Sequence, residues 1–224
     1  MVIEAVVFDF DGVIVDSEPI GLELDRLLLQ RHGISLTHRE VADLFLGRTE
    51  QHRLSELTRL LGAAPEPEAD AESAGLYERM FDDVETIAGV TAALDVIPLR
   101  KAIASNNGRL RIQRSLRRLG LGHHFDDRIA VRADVARGKP APDVYLRAAE
   151  ILEVDPSHCV AVEDSRPGIE AASAAGLHVF GLANDYTSAA DIRADGAVAF
   201  ERMSDLPGLI QGLTAADPPP PHRA

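Results

Sequence analysis

The chain has 224 residues, 46% of them hydrophobic, with 36 acidic against 23 basic side chains and a formal net charge of −13. That length suits one large domain or a domain with an insertion, and the apolar content can fill a sizeable core. The acidic balance, with a pI near 5.0, argues against nucleic acid or an anionic membrane as partner, and any phosphate site must be locally cationic.

Val2 to Phe8 is an apolar, β-branched run that predicts a buried strand. It ends in Asp9-Phe10-Asp11-Gly12. Two carboxylates that close raise each other's pKa or collect a cation. The motif reads either as a metal and nucleophile site at a sheet edge or as an Asx-turn in which Gly12 supplies a positive φ. From Ile20 to Met80 apolar residues recur at helical spacing. Leu22, Leu24, Leu27, Leu28 and Leu29 form one stripe; Val41, Leu44, Phe45 and Leu54, Leu57, Leu60, Leu61 form others. Gly33 and Gly62 read as helix ends. Ala63–Asp70, with Pro65 and Pro67, reads as a loop, and Asp82–Glu85 as an acidic, solvated hinge.

From Ile87 strands and helices alternate. Strands are expected at Lys101–Ser105, Arg128–Arg132, His158–Glu163, His178–Leu182 and Ala197–Phe200. Helices are expected at Gly108–Leu119, Pro142–Glu153, Pro167–Ala175 and Leu206–Leu213, with another between the last two strands. Such alternation implies parallel βαβ units and a doubly wound α/β sheet, Rossmann-like in type. The expected organisation is a core of 1–14 and 87–214, an inserted helical cap of 15–86, and a disordered tail of 215–224 rich in proline.

In doubly wound sheets ligands bind at the carboxyl ends of the strands. Here those ends carry Asp9 and Asp11; Ser105-Asn106-Asn107; Gly138-Lys139-Pro140-Ala141-Pro142-Asp143 ahead of a helix; and Glu163-Asp164-Ser165. Each has an ordinary reading as a cap or a surface charge. Together they do not, because helix capping requires neither a lysine nor two separate acid pairs.

This set resembles the haloacid dehalogenase-like superfamily of hydrolases, in the branch with a helical cap after the first strand. The resemblance rests on Asp9-Phe10-Asp11-Gly12-Val13-Ile14-Val15-Asp16-Ser17-Glu18, Ala104-Ser105-Asn106, Gly138 to Asp143, and Val162-Glu163-Asp164-Ser165 followed by Gly168. The spellings around Ile87-Ala88-Gly89-Val90 and Ala104-Ser105-Asn106 are similar to the 6-phosphogluconate phosphatase-like subgroup.

The resemblance implies a phosphatase acting on a small phosphorylated metabolite, a sugar phosphate or sugar-acid phosphate. Asp9 would be the nucleophile and form an aspartyl-phosphate. Mg²⁺ would be held by Asp9, the Asp11 backbone carbonyl and Asp164, with Glu163 direct or through water. Phe10, Asp11, Ser105, Asn106 and Lys139 would hold the phosphoryl group, and Asp11 would move the proton. Asp11 also makes dehalogenation unlike this chain, since carbon–halogen-cleaving members lack that acid.

The alternatives are a β-phosphoglucomutase-like activity and a catalytically silent metal-binding or regulatory protein. Resembling mutases carry a histidine twelve residues beyond the nucleophile and a Lys-Gly-x-Ser-Arg run. Gly21 stands at the first position and Leu46-Gly47-Arg48-Thr49-Glu50 at the second. Glutamate in place of an arginine clamp disfavours gripping a second phosphate. Glu18, Arg48 and Thr49 are the candidate substrate contacts in the cap.

Elsewhere the sequence promises less. Cys159, the single cysteine, excludes an internal disulfide and is expected in the core. His123-His124 have no acidic or cysteine partner at metal spacing and read as an exposed loop. Arg109, Arg111, Arg114, Arg117 and Arg118 read as a solvated basic face. No leader-like or membrane-spanning run stands out, so the expectation is a cytoplasmic monomer or small homo-oligomer.

Overall fold

The computed structural model describes residues 2–45, 50–64, 81–185 and 187–215. The chain divides into two compact units: Met1–Val15 with Thr86–Ala224, and Asp16–Glu85. At the crossing points two short strands, β2 (Val15–Asp16) and β3 (Glu85–Thr86), form a two-stranded sheet. Neither is legible as a strand, because two residues carry no periodicity.

The first unit holds a six-stranded parallel sheet. Its strands are β1 (Ala5–Phe8), β4 (Arg100–Ser105), β5 (Ile129–Val131), β6 (Cys159–Glu163), β7 (His178–Leu182) and β8 (Val198–Phe200). Their order is β5-β4-β1-β6-β7-β8. The chain therefore builds outward from β1 on one side, then returns to build outward on the other. That reversal puts the topological switch point between β1 and β6, where open α/β sheets bind their ligands. Phe8 aligns with Ile103 of β4 and Val162 of β6, so the residues just past these three strands share one edge.

All four residues of β1 are fully buried, as expected of a central parallel strand covered on both faces. Val2 is exposed and the strand begins only at Ala5. Phe8 packs edge-on against Phe125, with ring centroids 6.0 Å apart. Truncating Phe8 to alanine would cost about 3–5 kcal/mol. The unit's helices are α4 (Val90–Val96), α5 (Arg109–Arg118), α6 (Gly122–Phe125), α7 (Asp143–Leu152), α8 (Arg166–Ala174), α9 (Ala189–Ala194) and α10 (Leu206–Ala215). The expected tail started at residue 215, but α10 includes Ala215; the rest of that tail lies outside the described residues.

The second unit is helical: α1 (Glu18–Arg31), α2 (His38–Phe45) and α3 (Glu50–Leu61). Leu29, Val41, Phe45 and Leu57 form its buried centre. Thr37 Oγ1 accepts the Glu40 amide and Glu40 Oε2 accepts the Thr37 amide, a capping box that starts α2. Leu54, expected in the α3 stripe, is 43% exposed. Buried in α1 instead is Asp25, gripped by Arg53 through Nε at 2.7 Å and Nη2 at 2.5 Å. Among the described residues no helix is long and apolar enough to cross a membrane.

Candidate active site

The centre of the site is a buried lysine between two carboxylates. Lys139 Nζ lies 2.8 Å from Asp9 Oδ1 and 2.6 Å from Glu163 Oε1. Asp9 directly follows β1, and Glu163 ends β6, so the pair flanks the switch point. Lys139 reaches them from the loop before α7. Asn106 ties that loop down: its Oδ1 accepts the Lys139 amide at 3.0 Å, and its Nδ2 faces the Lys139 carbonyl at 3.4 Å. Gly138 is required there, because an added Cβ would stand 2.4 Å from Asn106 Oδ1.

Glu163 is fully buried and both its oxygens are occupied. Oε1 accepts Lys139 and the Tyr145 hydroxyl, the latter at 2.6 Å; Oε2 accepts the Asp164 amide, the Ser165 amide and the Ser165 hydroxyl. Gly168 completes the cage, since a Cβ on it would stand 1.9 Å from the Glu163 carboxylate. Ser165 also accepts the Gly168 amide and so caps α8.

Asp164 is held differently. Its Oδ2 accepts Asn184 Nδ2 at 3.0 Å. Gly12, with φ +68°, passes so close that a Cβ would stand 1.9 Å from Asp164 Oδ2. The two sequence readings of Gly12 thus merge: it supplies a positive-φ turn, and the turn makes room for the second acid pair. Asp9 Oδ1 also accepts the Phe10 amide at 2.6 Å.

Charge balance decides the electrostatics. Asp9, Glu163 and Asp164 each offer an oxygen within 4.8 Å of the others, while Lys139 is the single ammonium among them. Burial opposes ionisation of Glu163, but Lys139 and the surrounding donors outweigh it and hold its pKa below the ordinary value. Asp9 and Asp164 are left short of positive charge. Burial, then repulsion from Glu163, pushes Asp9 up to about 8. Burial, Glu163 and Asp9 push Asp164 well above the usual range. Burial and both neighbouring acids also raise Tyr145, so its hydroxyl stays a donor. A buried, cation-deficient group of hard carboxylate oxygens fits a small divalent cation such as Mg²⁺.

Asp11 and Ser105 are joined through Asn107, which the sequence places at the strand end without a role. Asn107 donates from Nδ2 to Asp11 Oδ2 and from its amide to Ser105 Oγ at 3.0 Å. Arg111 braces Asn107 Oδ1 at 2.6 Å, so this arginine does more than decorate a basic face. Tyr145 and Asn184 were missed too. Asn184 follows β7 and would have been found by asking what stands past that carboxyl end. Tyr145 sits on the apolar face of α7, where its hydroxyl gives no signal. Of the expected substrate contacts, Glu18 opens α1 in the helical unit, and Arg48 and Thr49 lie outside the described residues. Cys159 is buried as expected, and burial pushes its thiol up to about 11.

A family model for haloacid dehalogenase-like hydrolases matches residues 3–176. The chain is 31% identical over 210 residues to the 6-phosphogluconate phosphatase of Escherichia coli K12, covering 92% of this chain and 94% of that one. It is 29% identical over 199 residues to the β-phosphoglucomutase of Bacillus subtilis 168, covering 80% and 83%. A crystal structure of a HAD family hydrolase from Deinococcus radiodurans R1, with bound phosphate and sodium, matches with a TM-score of 0.75 at 30% identity, covering 95% and 96%. With its strand order and its acid–lysine cluster, the chain belongs to the haloacid dehalogenase-like hydrolase family, and it is an enzyme of that family.

Proposed function

We propose that this chain is a Mg²⁺-dependent phosphatase that hydrolyses a small phosphate monoester, a sugar phosphate or sugar-acid phosphate, through an aspartyl-phosphate. The observation that carries the reading is the contact of Lys139 Nζ with both Asp9 and Glu163 beside an unneutralised Asp164. The phosphatase relative and the phosphate in the Deinococcus structure support the substrate class.

Asp9 attacks phosphorus. The bonds from Phe10 and Lys139 both fall on its Oδ1, so Oδ2 is assigned as the attacking oxygen. Attack of a carboxylate on a phosphate dianion meets repulsion, and Lys139 offsets it at the point where the two charges approach. Mg²⁺, held by the carboxylates of Asp9 and Asp164 and the Asp11 backbone carbonyl, would supply further charge neutralisation at the phosphoryl oxygens. Glu163, its oxygens already filled, reaches the ion through water at most; its principal work is to fix Lys139. Ser105 accepts Asn107 and so keeps its own hydroxyl proton for a phosphoryl oxygen, next to the backbone amides near Asp11 and Asn106. Asp11, oriented by Asn107, protonates the leaving oxygen and then takes a proton from the water that opens the intermediate. The helical unit, with Glu18, Arg48 and Thr49, is assigned the choice of leaving group.

Hydrolysis is preferred over phosphoryl transfer within a sugar because Gly21 and Glu50 replace the histidine and arginine of mutase-type chains. The test is release of inorganic phosphate from p-nitrophenyl phosphate and a panel of sugar phosphates, with and without Mg²⁺. Mg²⁺-dependent release is expected. A folded, Mg²⁺-supplied protein that cleaves none of these esters would sink the reading. Robust conversion of β-glucose 1-phosphate with its bisphosphate would replace it by the mutase.

A further inference from the structure

The amino edge of the sheet carries a second cluster of donors. Asp95 lies near the end of α4, and His123 and His124 sit side by side in α6. One ring nitrogen of each histidine and a carboxylate oxygen of Asp95 all lie within 4.8 Å of one another. The sequence expectation that the histidines lack an acidic partner is thereby corrected: the partner comes from a separate helix. The two rings are 3.9 Å apart between centroids.

Two details separate this cluster from a chance meeting of surface side chains. The His124 side chain is only 8% exposed, and its Nε2 is buried with no hydrogen-bond partner although it stands 3.3 Å from Asp95 Oδ1. A buried ring nitrogen in that state, near a carboxylate but not bonded in good geometry, is better satisfied by an ion that both groups can hold. His123 is set in the opposite way: its Nδ1 faces the Gly120 carbonyl at 3.0 Å. A carbonyl only accepts, so the neutral ring carries its proton on Nδ1 and its lone pair on Nε2. Metal-binding histidines are commonly fixed by this kind of backbone bond through the other nitrogen. Lys101 and Arg128 are the nearby cations. Lys101 Nζ is turned onto the Ile97 and Leu99 carbonyls, and Arg128 onto the carbonyls of Lys101 and His124 and the carboxylate of Asp126. Their charge disfavours a cation held by electrostatics alone and leaves one held by nitrogen coordination.

We propose that Asp95, His123 and His124 form a binding site for a divalent transition-metal ion of the zinc class. Two imidazoles and one carboxylate are a common zinc donor set, with a fourth position left to water. Ser105, at the far end of β4, is four residues and so about 13 Å from Lys101, which stands beside the cluster at the strand's start. An ion there ties the end of α4 to α6, the helix whose Phe125 packs on Phe8 of β1. It is separate in place and in donor type from the all-oxygen cluster at the opposite edge.

The experiment uses the untagged chain in millimolar Mg²⁺, which occupies hard-oxygen sites. Zinc is titrated calorimetrically, and Cu²⁺ is then used as a spectroscopic probe. One equivalent of zinc is expected to bind and to raise the Tm by about 5 °C at zinc a hundredfold above its Kd. His123→Ala, at an exposed position away from the phosphatase machinery, should weaken binding at least tenfold and leave ester turnover unchanged. Asp95→Asn should weaken it less. The Cu²⁺ paramagnetic resonance spectrum should show splitting from two imidazole nitrogens in the wild type and from one in His123→Ala. Equal zinc affinity in wild type and His123→Ala, or a copper spectrum without nitrogen splitting, overturns the proposal. Neither outcome touches the phosphatase reading.

Discussion

Two buried carboxylate–cation groups in this chain resemble each other in distance and differ in arithmetic. In the helical unit Asp25, 2% exposed, meets Arg53 in a two-pronged contact. The guanidinium fork of Arg53 matches the Asp25 carboxylate, one nitrogen to each oxygen. At the carboxyl edge of the sheet three carboxylates share one lysine. The first arrangement is closed around the Asp25 carboxylate, both of whose oxygens are taken, and it ties α1 to α3. The second is unfinished in charge, and the proposed cation and phosphoryl site rests on that deficit. Burial and short ion pairs do not by themselves distinguish structure from chemistry; the balance of charge does.

The largest effect should come from the unfinished group. Asp9→Asn keeps the shape and removes the nucleophile, so turnover should fall by on the order of 10⁴-fold or more in steady-state assays. Near-wild-type turnover would show that Asp9 is one more structural acid. The closed pair should fail in the other direction. Arg53→Ala leaves Asp25 buried without its partner and should lower unfolding free energy by about 3 kcal/mol, read from urea denaturation. Arg53→Met combined with Asp25→Leu should recover most of that loss, because a balanced pair is replaced by packing. If the single and double variants were equally unstable, the pair would not be the closed unit described.

Acid–base behaviour sharpens the same contrast. Burial, then repulsion from Glu163, pushes the Asp9 carboxyl from the ordinary 3.8 up to about 8 in the folded chain. The folded state therefore holds a proton that the unfolded chain gives up. Its contribution to stability is complete below about pH 3.8 and is lost as pH climbs through about 8. Thermal unfolding in a chelator should show a falling Tm over that window, and Mg²⁺ should restore most at the alkaline end. A chelated Tm that stays flat or rises across the window would remove charge deficiency as an explanation. Tyr145→Phe is a smaller step. It takes one donor from a buried, charged Glu163 and should cost about 1.5–3 kcal/mol of stability, with turnover reduced less than by Asp9→Asn.

The sequence carried the carboxyl edge well and much of its surroundings poorly, for physical reasons. Strand ends followed by Asp9, Ser105 and Glu163 are local signals, and parallel βαβ units place such ends together without further information. Lys139 was readable because glycine and proline flank it ahead of a helix. Tyr145 and Asn107 were not, since each acts through a partner remote in sequence: Glu163 for Tyr145 and Asp11 for Asn107. Asp25 was hidden inside a leucine stripe, where an acid reads as a solvent position. Asp95 was invisible beside His123 and His124 for the same reason of distance along the chain. Strand β1 came out three residues shorter than its apolar run, because Val2 stays in solvent and pairing starts at Ala5.

Asn184→Ala should give the smallest effect and the finest division between the two acid pairs. Asn184 donates from Nδ2 to Asp164 Oδ2 at 3.0 Å, while its own Oδ1 accepts the Thr187 amide. It sets the orientation of a carboxylate assigned to the ion and leaves the Lys139–Glu163 contact in place. Removal of such an orienting partner weakens metal binding by about tenfold and does little to a bound ester. The Mg²⁺ concentration for half-maximal turnover should therefore rise about tenfold, while kcat at saturating Mg²⁺ and the KM for the ester stay near wild type. Asn184→Asp supplies the converse: it places a further negative charge beside an already repelled Asp164, raising the demand for a cation without removing a ligand. A fall in kcat that saturating Mg²⁺ does not repair would mean that Asp164 works in the phosphoryl pocket itself and that the division between lysine-bound and metal-bound acids is drawn in the wrong place.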